Sequence, residues 1–137
     1  MKKALIAGLV LSLTIYFLSF NDTTSYKDGD VIFQTTAGET GKAIQLATHS
    51  KYNHCGVLFF ENNEWIVYEA VQPVKKTTLK EFNARGKGTV KRLSNKVLST
   101  EDITKLKAQF KKYEHKNYDE AFNWSDDQIY CSELVYK

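Results

Sequence analysis

The sequence predicts an α+β domain, a small antiparallel sheet packed with helices, with a cysteine at the N-terminus of the last helix. Three observations carry that reading. Two β-prone runs, Asn53 to Phe60 and Trp65 to Val71, flank the polar stretch Glu61-Asn62-Asn63-Glu64 and read as a hairpin. Ser99 opens a helix with Asp102 three residues on as its capping-box partner, and Ile103, Leu106 and Phe110 follow at helical spacing. Tyr130-Cys131-Ser132-Glu133-Leu134-Val135 reads as the entry to another helix, with Cys131 in its first turn.

Composition bounds the function classes. A chain of 137 residues makes one domain the prior. Apolar residues at 42% and aromatics at 13% supply enough surface for a core, which excludes a disordered or fibrous chain. With 7 Gly and 1 Pro it is neither collagen-like nor a proline-rich linker. A net charge of +3 is too mild to argue for nucleic acid, whose binders concentrate basic residues on one face. Two cysteines cannot build a disulfide scaffold, and their spacing fits no standard zinc motif.

The chain opens with Met1-Lys2-Lys3 and an apolar run from Ala4 to Phe20. That pattern reads as a secretion signal or an uncleaved N-terminal membrane anchor over residues 1–20. The run is about 17 residues, at the lower edge of what spans a bilayer. No good small-residue cleavage site follows, since Leu18-Ser19-Phe20 is a poor one. Either way, the working domain is residues 21–137 and is expected to be exported, periplasmic or cell-envelope associated. Within it, Asp28-Gly29-Asp30 reads as a turn and Val31-Ile32-Phe33 as a short buried strand. Gly41 to Thr48 suggests a short helix, Leu79 to Ala84 a helical turn, and Gly88 to Leu93 another strand. Tyr118 to Gln128 is irregular and acidic. The last helix breaks off at Lys137 after two turns, so the domain is expected to be incomplete at its C-terminus.

Chemistry-bearing residues are few: His49, His54 and His115, Cys55 and Cys131. A cysteine nucleophile needs a lowered pKa, a base within reach and a group that orients the base. At the start of a helix, Cys131 gains the helix dipole and free backbone amides, which favour a thiolate and a developing oxyanion. With Asn62-Asn63 as a two-residue loop, Gly56 faces Glu69 and His54 faces Val71. Glu69 is then the diagonal neighbour of His54 on the same face of the sheet, roughly 7–8 Å away at the backbone. A long glutamate side chain reaches an imidazole across that distance, and Gly56 leaves room for it. A four-residue loop gives the same facing, whereas a three-residue loop breaks the parity. The arrangement is nucleophile, base and orienter in the chain order His54, Glu69, Cys131.

Each residue also has a plainer reading. His54 fits a structural strand histidine, Glu69 an edge-strand carboxylate facing water, and Cys131 a small buried hydrophobe. Cys55 points to the other face with Val57 and Phe59, reads as core, and is not expected to reach Cys131 for a disulfide. A zinc site from His54, Cys55, Cys131 and His115 would need adjacent strand residues to bind one ion from opposite faces. His49 and His115 read as solvated. Lys105, Lys107, Lys111 and Lys112 read most simply as the wet face of the helix that buries Ile103, Leu106 and Phe110.

Four motifs carry a family resemblance. They are Gly29-Asp30-Val31-Ile32-Phe33, Ser50-Lys51-Tyr52-Asn53-His54-Cys55-Gly56-Val57, Tyr68-Glu69-Ala70, and Tyr130-Cys131-Ser132-Glu133-Leu134-Val135. Together they resemble the YiiX/YebB-like permuted papain-fold cysteine hydrolases, relatives of NlpC-type cell-wall peptidases and lecithin:retinol acyltransferase. The resemblance runs from about Gly29 to Lys137. It implies a circularly permuted papain-like α+β fold and a Cys–His–acid triad on Cys131, His54 and Glu69. It also implies hydrolysis or transfer at an amide or ester bond through a thioester acyl-enzyme. The expected substrate is a peptide, a peptidoglycan-like molecule or an acyl lipid, with no metal or organic cofactor required. An acyltransferase on the same triad and a non-catalytic envelope-binding module are the rival readings.

Overall fold

The computed structural model describes residues 25–137. The expected signal or anchor over residues 1–20 lies outside them. Among the described residues, no helix is long and apolar enough to cross a membrane. Five strands form one antiparallel sheet: β1 (Val31–Gln34), β2 (His54–Glu61), β3 (Glu64–Glu69), β4 (Lys75–Thr78) and β5 (Gly88–Lys91), in the order β4-β3-β2-β1-β5. Four helices join them: α1 (Glu39–Thr48), α2 (Leu79–Ala84), α3 (Thr100–Lys111) and α4 (Cys131–Tyr136).

The β2–β3 hairpin fixes everything near the site. Asn62 and Asn63 turn the chain with φ of 50° and 66°, the left-handed conformations that a tight two-residue loop requires and asparagine tolerates. The register then sets Glu61 opposite Glu64 and Gly56 opposite Glu69, as the hairpin arithmetic requires. β3 leaves the ladder at Glu69 rather than continuing to Val71. His54 therefore pairs with Gln34 of β1 and has no partner on β3.

Side chains alternate along the strands and divide the core in two. On one face, Ile32, Leu58 and Val67 pack against Phe82 of α2. On the other, Cys55, Phe59 and Tyr68 pack with Phe110 of α3 and with Cys131 and Leu134 of α4. Both α2 and α3 begin with a capping box, Thr78 with Glu81 and Ser99 with Asp102. α3 departs from its expected pattern: Phe110 is buried, but Leu106 is 41% exposed. Lys107 is not simply wet, because its ammonium turns back 2.9 Å from Glu61 and lies over the Phe59 ring. β4 is absent from the sequence reading. It is an edge strand, Lys75-Lys76-Thr77-Thr78, of which only Thr77 is buried, so it carries no hydrophobic alternation.

Gly56 matters because the backbone beside it is crowded. A Cβ there would lie 2.6 Å from Val67 Cγ1, 2.7 Å from the Tyr68 carbonyl and 3.3 Å from Glu69 Cβ. Gly56→Ala is therefore expected to lower stability by roughly 1–3 kcal/mol through overpacking, measured by urea denaturation. A stability within 0.5 kcal/mol of wild type, roughly the scatter of neutral surface changes, would show that the strands give way freely.

Candidate active site

His54 begins β2, and its ring stacks on Phe82 with centroids 5.7 Å apart at 27°. Its Nε2 lies 2.6 Å from Glu69 Oε2. Glu69 ends β3 and is wholly buried, so it is not the water-facing edge carboxylate of the plainer reading. Its other oxygen, Oε1, accepts a hydrogen bond from Arg85 Nη2 at 2.6 Å. Burial opposes the ionised carboxylate, but the bonds to His54 and Thr77, then the His54 and Arg85 charges, outweigh it. The Glu69 carboxyl is held below the usual range.

Cys131 starts α4, which packs on β2, and is 7% exposed. The Tyr118 hydroxyl lies 3.9 Å from its sulfur. The largest influence on the thiol is a hydrogen bond from Cys55, opposed by burial and then assisted by a bond and charge from His54. The outcome is a Cys131 pKa pulled down to about 4. On His54, burial works against the charged form, but the bonds to Cys131 and Glu69 prevail and raise its pKa to about 9. The same hydrogen bond to Cys131, with burial, pushes the Cys55 thiol up. Burial and the Cys131 charge push Tyr118 up as well. Both shifts favour a thiolate beside an imidazolium.

Cys55 is a buried core residue on the face of Val57 and Phe59, as its position on the strand predicts. Both cysteines are free, so no disulfide joins them. Cys55 faces away from Glu69 and shares a core cluster with Cys131, close enough to influence its thiol. The physical reason is that α4 lies on the Cys55 face and begins beside the start of β2. Cys131 thus meets both Cys55 and its neighbour His54, although the two point to opposite faces. His49 ends α1 with φ 50° and His115 sits in a turn with φ 72°; both are exposed and neither joins the site.

Three residues of the site escaped the sequence reading. Tyr118 lies in the acidic irregular segment, where an isolated bridge to Ile129 and a 2.6 Å hydrogen bond from its backbone N–H to Gln72 Oε1 hold it. Phe82 and Arg85 sit at the end of α2, with no spacing relation to His54 or Glu69 to reveal them. A cleft of about 590 Å³ opens over His54, with Arg85, Tyr118 and Glu120 among its walls. A hollow of about 660 Å³ lies elsewhere, between the turn before β1 and the chain leading into α3, and holds none of these residues.

The profile of a family described as permuted papain-like amidases, YaeF/YiiX, C92, matches residues 25–137. The chain belongs to this family. The C92 fold is a permuted papain-like one, and the five-stranded sheet with its helices is this chain's version of it. A protein from Escherichia coli (strain K12), the uncharacterized protein YiiX, is 45% identical over 132 residues, which cover 94% of this chain and 64% of the relative. A solved structure, described as the metalloprotein yiiX from Escherichia coli O157:H7, superposes with a TM-score of 0.75 at 48% identity. That match covers 80% of this chain and 62% of the neighbour. The chain thus spans a little under two thirds of the length of either relative. Among the described residues here, no group of three or more His, Cys, Asp and Glu side chains is placed to hold a metal ion.

The thiolate chemistry is directly measurable. Alkylation of Cys131 by iodoacetamide is expected to rise through a midpoint near 4 and to be flat by neutral pH, with Cys55 unreactive in the folded protein. Cys55→Ala removes a donor to the thiolate, so the midpoint moves up by about one pH unit. Mass-spectrometric mapping of the alkylated peptide against pH checks both, and equal slow labelling of the two cysteines would contradict them.

Proposed function

We propose that this domain is a cysteine hydrolase that cleaves an amide or ester bond through a thioester acyl-enzyme, with Cys131 as nucleophile, His54 as acid–base and Glu69 as orienter. The observation that supports the reading is the 2.6 Å contact of a buried carboxylate, Glu69, with the His54 imidazole, whose hydrogen bond and charge are among the influences that draw the Cys131 thiol down to about 4. Membership of an amidase family supports the reaction class.

In the resting state the proton already sits on His54, so no proton transfer precedes attack. The Cys131 thiolate adds to the carbonyl carbon. The Tyr118 hydroxyl, a side-chain donor 3.9 Å from the sulfur, supports the oxygen that gains charge. His54 gives its proton to the leaving amine or alkoxide as the tetrahedral adduct collapses to a thioester. Water enters, His54 takes its proton, and the carbonyl carbon is released as a carboxylic acid with the thiolate restored. Glu69 holds Nε2, which leaves Nδ1 as the ring nitrogen that serves the sulfur and the substrate.

The proposed substrate is a cell-envelope peptide or lipid. The basic start and apolar run of residues 1–20 support export and association with the envelope. An acyl-lipid donor is the second reading, favoured by Phe122 and Trp124, which stay 44% and 60% exposed while packing on Tyr130 next to the nucleophile. A fluorescent acyl lipid run against a peptidoglycan stem peptide separates the two.

Turnover of the accepted substrate is expected to follow a bell in pH, rising through about 4 as the thiolate forms and falling through about 9 as His54 loses its proton. Cys131→Ser should lower turnover by roughly 10³-fold or more with thermal stability retained. An intact-mass shift by one acyl group on wild type, absent from Cys131→Ser, identifies the thioester. A fully active Cys131→Ser enzyme would end the proposal.

A further inference from the structure

The Glu69 carboxylate has two partners, and only one of them belongs to the proposed triad. Arg85 Nη2 donates to Oε1 at 2.6 Å, while Oε2 faces His54 at 2.6 Å. We infer that Arg85 is a positioning residue for the proposed hydrolysis, clamping Glu69 so that His54 is aimed at Cys131; the inference rests on that functional reading. A carboxylate bound through one oxygen can swing about its terminal torsion, whereas two opposed partners fix its plane.

The surroundings of Arg85 are built to hold this geometry. The end of α2 is tied to the sheet by Gln34, a wholly buried side chain whose amide donates to the Phe82 carbonyl at 2.5 Å and also to the Gly86 carbonyl. Those two acceptors bracket Arg85 in the chain. The guanidinium lies over the Phe82 ring at 5.3 Å, and the His54 ring packs on the same phenyl group. Arg85 and the base therefore share one platform as well as one carboxylate. The side chain of Arg85 is 37% exposed and lines the cleft, so a purely stabilising ion pair would be weakened there by solvent. Geometry, more than attraction, is what this contact delivers.

The test uses p-nitrophenyl acetate, whose turnover by a cysteine enzyme reports release of the acyl group, the step in which His54 must accept a proton from water. Arg85→Gln is expected to lower kcat at least about tenfold with KM within about twofold, as loss of an orienting partner typically does. In carbon-13 NMR of glutamate-labelled protein, the Glu69 carboxyl, assigned with Glu69→Gln, should titrate at higher pH in Arg85→Gln. Arg85→Lys should recover most of the titration shift and part of kcat. A merely structural arginine would lower thermal stability and shift the carboxyl titration while kcat stays within about twofold of wild type, and that result overturns the inference. If Cys131→Ser turns over the ester as wild type does, the hydrolase reading itself has failed and this inference falls with it. If only the arginine variants behave like wild type, the hydrolase reading stands alone.

Discussion

A carboxylate with no exposed surface, Glu69, organises this domain. A buried charge is costly unless paired and hydrogen-bonded, and leaving it with one partner removed costs several kcal/mol. Glu69 meets that demand with two short contacts, one to an imidazole on β2 and one to a guanidinium after α2. Strand, helix terminus and base are therefore positioned by one requirement. The same contact raises the His54 pKa, and charged His54 in turn helps hold Cys131 as a thiolate.

The site straddles the sheet. Glu69, His54, Phe82 and Arg85 gather on the side covered by α2, while Cys131 sits with Cys55 on the side covered by α3 and α4. They meet only because His54 opens its strand and Cys131 opens its helix, so both lie at a margin of the sheet rather than in its middle. A thiol placed one turn further along α4 would lie over the apolar core formed with Phe59 and Tyr68.

Local pattern made part of this legible. The Asn-Asn turn fixed the hairpin register, and the register put Glu69 beside His54, because period-two alternation leaves one answer once the loop length is known. The capping box at Ser99 marked α3 for an equally local reason. What stayed hidden depends on long-range packing. β4 has no hydrophobic alternation, since an edge strand needs to cover only one residue, Thr77. Leu106 has helical spacing yet ends up exposed, because spacing marks a face without saying how much of it the sheet covers. Arg85 and Tyr118 reach the site across intervals that no short motif encodes. Facing placed Cys55 in the core and without a disulfide, but could not show that Cys131 shares that cluster, since alternation describes a strand's interior and α4 begins at its margin.

The order of parts along the chain has a temporal side. Base and carboxylate are neighbours within one tight hairpin, whereas the thiol arrives on the last helix described. A polypeptide growing from its N-terminus lays down the hairpin first and can close it while still being synthesised. The sulfur is added late, and the contacts that lower its pKa form only as α4 docks on β2. Thiol activation is in this way tied to completion of tertiary packing, and a half-made chain carries the imidazole and carboxylate without the sulfur beside them.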